Sequence, residues 1–436
     1  SNIGTSGDAT STSLAASSST SHSPSSSTAS LEGRSGDLGR FCNKASLATV
    51  AGEAQLGGAA AGFAKDSGGS VSSSTGKSSI KGNGPRALPV DLNVVRELCR
   101  EGIPDGIPAL RAALWKVLLG YLPPDLFQWD TSLEASRASY KQLMNELPWK
   151  DFAGECDSSD PALTGILSQI TKDVVRTRIE LDFFGRSVDG VGEGACGLGR
   201  EPESINIEEP TCHHDVLARI LLMYAWFNRG ERYVQGMNEL CAPIYYAFAQ
   251  DPFCSPGCVE ADAFFCFSHL MSSMRDTFVK SLDDDHTGML GRIEQYSVML
   301  REKDRQVWEH LHRLQVQPAF YTVRWLTLML AQELDMPDTL RLWDSLISDF
   351  ARPHPLLIYI CVAMVIHVRE ALLAGDFTDC MGTLQHFPPV PVEELLQVAF
   401  RLRASDLTPV GAGPAPHAKG QHSASQQQQK QQQQKQ

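Results

Sequence analysis

Two short segments carry side chains whose types and spacing could do chemistry together. The first is Ile170-Thr-Lys-Asp173-Val-Val-Arg176, and the second is Tyr233-Val-Gln235-Gly236-Met-Asn238. A guanidinium such as that of Arg176 keeps its charge and offers several hydrogen bonds, so it can stabilise anionic oxygens. A carboxamide such as that of Gln235 donates and accepts at once, so it can hold a water while touching a second polar group. Asp173 precedes Arg176 by three residues, which puts both on one helix face and would let the carboxylate pair with the guanidinium and orient it. Gly236 would let the backbone of a partner approach closely. Tyr233 could belong to a site or to the core. Plainer readings stand beside these: a solvated arginine at a helix end, a solvated aspartate and an ordinary Gln-Gly turn.

Other clusters point less far. Cys254 and Cys258, with His269 beyond, resemble half a zinc site, but the second ligand pair is absent and no metal is expected. Cys212-His213-His214 reads as a helix start with surface histidines. Asp283-Asp284-Asp285 lacks the alternation of a calcium loop. No Gly-Lys-Ser/Thr phosphate loop occurs, so the chain is not expected to hydrolyse nucleotides by that means, and no nucleophile elbow is present.

The elements that must position these residues read as helix after helix. Pro108 to Leu118 places Leu110, Leu114, Val117 and Leu118 on one face, with Gly120 as a stop. Asp160-Pro161 reads as an N-cap followed by proline at the first helical position, and Leu163, Ile166, Leu167, Ile170 and Val174 repeat at helical spacing. The same period runs through His214–Phe227 and Ala263–Phe278, and through Val307, Leu311 and Leu314. It returns at Phe320, Val323, Leu326, Leu330 and Leu334, then at Leu340, Trp343 and Ile347, and closes with Leu395, Leu396, Ala399 and Leu402. No stretch sustains the period-2 alternation of a strand, so the fold class is all-α. Gly185 to Thr211, rich in glycine and acids, is too long and polar for a tight connection. It reads as either a functional or a mobile loop.

Taken together the blocks resemble the TBC domain, the module of many Rab GTPase-activating proteins. The run from Gly106 through Pro108, Leu110, Arg111 and Trp115 to Gly120 is similar to its opening block. Ile170…Asp173…Arg176 is similar to its arginine-finger motif, and Tyr233-Val-Gln235-Gly236 to its glutamine-finger motif. The similarity continues through Ala261–Phe267, Ser281–Asp285, Arg324-Trp-Leu-Thr327 and Arg341-Leu-Trp343-Asp344, and covers about residues 95–403. These later blocks resemble the subgroup of TBC domain family member thirteen in particular. The resemblance implies a multi-helix Rab-GAP domain that supplies Arg176 and Gln235 in trans, supported by Asp173, Tyr233 and Gly236. The chain would then need no cofactor of its own, since GTP and Mg²⁺ belong to the partner, a GTP-bound Rab-type small GTPase in vesicle trafficking. A non-catalytic helical scaffold that binds a GTPase or a trafficking protein is the alternative. After the finger the family continues Thr, aromatic, Pro, whereas Arg178-Ile179 follow Thr177 here. The register from Ile170 and Asp173 makes Arg176 the finger, so Arg178 is expected to be dispensable, and Trp343-Asp344 to be structural.

The chain has 436 residues and a formal net charge of −13. Residues 1–88 hold 22 Ser, and Phe41 and Phe63 are their only aromatics. Residues 406–436 end in glutamine runs. Neither end can bury enough apolar surface to offset its conformational entropy. The expected organisation is a disordered Ser/Gly/Ala-rich tail over 1–88, the Rab-GAP TBC domain over 89–405 and a disordered Gln-rich tail over 406–436, with both tails dispensable for activity. Each end contributes a charge of +2, so residues 89–405 carry −17. That excess argues against a nucleic-acid binder and against docking on anionic lipid through the core alone. Eleven scattered cysteines suit reduced thiols, not a disulfide framework. No apolar run reaches the length of a membrane span, and the N-terminal residues lack the apolar run of a secretory signal. The expected location is cytoplasmic, with at most peripheral attachment to endomembranes.

Overall fold

The computed structural model describes residues 89–149, 152, 161–188, 201–274, 288–349 and 356–407. Residues 1–88 and 408–436, the Ser281–Asp285 block and Asp160 lie outside them. Among the described residues are fifteen α-helices and no strand, apart from a single isolated bridge between Ser187 and Cys212. In chain order they are α1 (Leu92–Glu101), α2 (Pro108–Leu118), α3 (Trp129–Asn145), α4 (Pro161–Val174) and α5 (His213–Phe227). Next come α6 (Met237–Ala249), α7 (Pro256–Ser273), α8 (Met289–Lys303), α9 (Arg305–Arg313) and α10 (Ala319–Thr327). The series ends with α11 (Met336–Asp349), α12 (Leu356–His367), α13 (Arg369–Ala374), α14 (Phe377–Gln385) and α15 (Val392–Leu407).

Local rules account for the ends. The Asp91 side chain caps α1 by accepting from the Asn93 N–H at 2.8 Å. Pro108 opens α2, and Gly120, at φ +80°, lies just beyond it. Asp215, fully buried, caps the start of α5 by accepting from the N–H groups of Asn206, Thr211 and Cys212 at 2.9–3.1 Å. The last helix runs to Leu407, and the Asp406 carboxylate accepts from Tyr359 at 3.0 Å and pairs with Lys303. A boundary after residue 405 therefore falls inside the last turn of α15.

Helices α5, α6 and α7 pack on one another, α2 lies on α6 and α4 on α5, while α1 packs on α11 and α12 on α15. Residues of three of the motif blocks outside the fingers build buried polar clusters. Asp344 of α11, fully buried, accepts from Arg111 Nε at 3.1 Å, Trp115 Nε1 at 2.8 Å and the Ile103 N–H at 3.1 Å. Asp262 of α7 accepts from Lys116 at 2.6 Å, Tyr121 at 2.8 Å and both ends of the Arg137 fork. Glu260 accepts from Tyr140 and Arg219, each at 2.6 Å. A buried charge is tolerable only when paired and hydrogen-bonded in this way.

Helix α10 departs from the sequence expectation. Spacing puts Phe320, Val323 and Leu326 on its apolar face; Leu326 is buried, yet Phe320 and Val323 are 52% and 40% exposed, and Tyr321 and Trp325 are buried in their place. The segment is apolar on more than one face, so spacing alone does not choose. The larger burial of Trp325 and the pairing of the Tyr321 hydroxyl with Tyr296 at 3.1 Å decide it. The helix also stops at Thr327, and Met329 and Leu330 take left-handed φ values of +49° and +63°, so Leu334 is not on it. Helix α7 ends at Ser273, and Phe278 lies outside the described residues.

Candidate functional site

The first motif sits where α4 ends. Its apolar face buries Ile170 and Val174 completely, and the chain continues beyond Val174 as a turn. In that turn the Arg176 N–H donates to Asp173 O at 3.1 Å and the Thr177 N–H to Val174 O at 3.0 Å. The Arg176 side chain is exposed. The second motif forms the N-terminus of α6. Tyr233 is buried, Gln235 is exposed, and Gly236 is the N-cap at φ +100°.

A buried network laces the two segments together. Tyr233 donates its hydroxyl to Asp173 Oδ2 at 2.8 Å. Asn238 donates its amide to Thr177 Oγ1 at 2.9 Å, and Thr177 donates in turn to Asp173 O at 3.0 Å. Burial raises the Asp173 carboxyl above the usual aspartate range, and the Tyr233 hydrogen bond and the Arg176 charge offset part of that rise. Burial, with the Asp173 charge second, raises the Tyr233 hydroxyl far above its ordinary value. The motif positions thus divide sharply: Thr177, Tyr233 and Asn238 are buried and hydrogen-bonded, whereas Arg176 and Gln235 are exposed on adjoining turns.

Three expectations change. Asp173 gives its carboxylate to Tyr233 and feels Arg176 through charge alone, because the turn after Val174 carries Arg176 off the helix face that spacing assigned it. Gly236 is buried, and its close neighbour belongs to this chain: a Cβ there would lie 2.7 Å from Leu328 Cδ2. Its left-handed backbone and this contact explain the glycine. Gly236→Ala is expected to cost about 1–2 kcal/mol from the backbone alone, read as a lowered urea midpoint, and a neutral result would refute the strain. Third, Arg178 is not a dispensable surface cation. It is 6% exposed, at φ +50°, and donates to Leu334 O at 2.8 Å and Thr339 Oγ1 at 3.2 Å. Arg178→Ala is therefore no neutral control.

The segment between the motifs is closed at its base. The Val188 N–H donates to Thr211 O at 3.1 Å and the His213 N–H to Arg186 O at 3.2 Å, while residues 189–200 lie outside the described set. Among the described residues no group of three or more His, Cys, Asp or Glu could hold a metal ion. Cys254 Sγ instead receives Arg137 at 3.5 Å.

Comparison with known proteins bears on this arrangement. The chain is 34% identical over 382 residues to human TBC1 domain family member 13, covering 72% of this chain and 95% of that protein. The mouse protein of the same description is also 34% identical, over 72% of this chain and 94% of its own length. This chain belongs to the TBC Rab-GAP family. Residues 201–373 match the family profile described as the Rab-GTPase-TBC domain, a stretch that includes Gln235 and begins after Arg176. The fold of this TBC domain is that of the crystallised Ypt/Rab-GAP domain of Gyp1p, with a TM-score of 0.59, 20% identity, and coverage of 74% of this chain and 95% of that one. No helix among the described residues of the TBC domain is long and apolar enough to cross a membrane.

Two residues of this region were not singled out as site residues from sequence: Thr177 and Asn238. Asn238 ends the second motif segment and Thr177 directly follows the first. Spacing could mark them only as polar neighbours, because what they do is bond across from one segment to the other.

Proposed function

We propose that this chain accelerates GTP hydrolysis by a Rab-type small GTPase in its GTP-bound state, supplying Arg176 and Gln235 in trans. The observation that carries the proposal is the exposure of those two side chains on turns that the buried Tyr233, Thr177 and Asn238 tie together by hydrogen bonds. GTP hydrolysis passes through a loose transition state with charge spread over the γ-phosphoryl oxygens. A guanidinium inserted there stabilises that charge without having to ionise. The Gln235 carboxamide can accept from the attacking water and donate to the phosphate, replacing the GTPase's own glutamine. Nucleotide and Mg²⁺ come with the partner. The setting is vesicle traffic, on the cytoplasmic side of endomembranes, with peripheral attachment at most.

The test is phosphate release from a panel of purified GTP-loaded Rabs, run with the full chain and with residues 89–407 alone. At least one Rab is expected to be accelerated, and the two proteins are expected to agree within about tenfold, roughly 1.4 kcal/mol. Binding without acceleration across the panel would support the scaffold reading instead. A larger gap between the two proteins would show that a tail contributes to the activity.

A further inference from the structure

Arg178 has no part in the chemistry above, yet it joins both finger turns to a third segment. It lies two residues after Arg176, and its fork crosses to the chain after α10, donating to Ala331 O, to Leu334 O at 2.8 Å and to Thr339 Oγ1 at 3.2 Å. Its Nε stands 3.6 Å from Glu239 Oε2, an ion pair between side chains only 5% and 8% exposed. Glu239 sits in the first turn of α6, four residues after Gln235. Burial raises the Glu239 carboxyl and the Arg178 charge lowers it, so the two groups feel each other. The third segment also meets the glutamine turn directly, because Leu328 fills the space beside Gly236. Residues 328–334 are thus a common base for both turns. The base is itself fixed by packing, with Met329 and Leu330 buried in left-handed conformations.

An ion pair so placed fixes distance. The guanidinium is planar and presents its donors in a set geometry, so two carbonyls of residues 328–334, a hydroxyl of α11 and a carboxylate of α6 leave it little freedom. Small displacements of reacting groups cost much more in rate than in binding. We propose that Arg178 and Glu239 are positioning residues whose buried ion pair, seated on residues 328–334, sets the separation between the Arg176 and Gln235 side chains. Loss of the pair then lowers turnover while partner binding survives. The proposal rests on the GTPase-activating reading above.

The experiment compares Glu239→Gln, Arg178→Lys and the double variant in the full chain, using a Rab that the wild type accelerates. Glu239→Gln carries the test, because it keeps side-chain size and leaves the carbonyl partners of Arg178 in place. The single-turnover rate constant at saturating protein is expected to fall at least tenfold in each single variant. The dissociation constant for the same Rab loaded with a non-hydrolysable GTP analogue should stay within about threefold. The double variant should be no more than threefold slower than the worse single one, since one change removes the anion and the other the fork of the same brace. A lowered melting temperature with an unchanged rate constant would make the pair merely structural and overturn the proposal, as would weakened binding at an unchanged rate. If wild type accelerates no Rab, the activating reading fails by itself. Amide hydrogen exchange then judges the brace alone: Glu239→Gln should speed exchange at residues 175–181 and 233–239 together, and unchanged protection there overturns it.

Discussion

Arg176→Ala is expected to lower Rab GTP turnover by about 10³-fold or more, roughly 4 kcal/mol or above, while leaving the fold intact. On the proposed function, the size follows from removing a charged multi-donor group from the transition state. The tolerance follows from position: the Arg176 side chain is exposed, and the turn is held by its backbone N–H to Asp173 O, which alanine keeps. Arg176→Lys should not rescue, since an ammonium lacks the planar fork. Gln235→Ala should also cut turnover strongly, because the attacking water loses its partner, and Gln235 is likewise exposed. Binding of the GTP-loaded partner should weaken less than turnover in both variants. The measurement is single-turnover phosphate release beside circular dichroism of the same samples. A folded Arg176→Ala protein with wild-type turnover would remove Arg176 from the mechanism.

Asp344→Ala is expected to be the most damaging of these changes to stability, at about 3–5 kcal/mol. The carboxylate is fully buried and holds Arg111, Trp115 and the Ile103 N–H in one cluster between α2 and α11. Its removal strands the Arg111 guanidinium, itself 6% exposed, with its charge only partly met by Asp105 at the surface. Against a typical total stability of about 5–15 kcal/mol, such a loss leaves little margin. The natural comparison is Glu309→Ala, which breaks an exposed pair with Arg305 and should cost about 0.5 kcal/mol or less. Urea midpoints of the two variants measure the difference. A cost below about 1 kcal/mol for Asp344→Ala would mean that the cluster relaxes around the loss instead of depending on its anion.

Much of the fold was legible because helical signals are local. The Pro108 start, the Gly120 stop and the faces through Ile170, Val174, Leu395 and Ala399 all appear where the 3.6-residue period puts them. Several helices escaped that reading for reasons equally physical. Helix α6 contains Pro243 and is buried on almost every side, so neither a breaker rule nor an amphipathic stripe identifies it. Helix α3 carries only Trp129 and Tyr140 fully into the core, which is too sparse a pattern to stand out. Helix α10 fails in the opposite direction, having apolar residues enough for two faces.

The identity of the two exposed side chains, Arg176 and Gln235, is set by residue type and motif spacing, and so is the all-helical class. Those properties depend on neighbours within a few residues. What only the tertiary structure decided is everything that depends on contact between distant segments. Asp173 took Tyr233 as its hydrogen-bond partner because a residue sixty positions on offered a buried hydroxyl. Gly236 proved necessary to its own chain because Leu328 fills the space a Cβ would take. Arg178, one residue past Thr177 and expected to be dispensable, is a buried link to Leu334, Thr339 and Glu239. A linear sequence states which groups can pair. Which of them do pair is settled by the packing of α4, α6, α10 and α11, since only that packing removes water and makes one partner available to each buried charge.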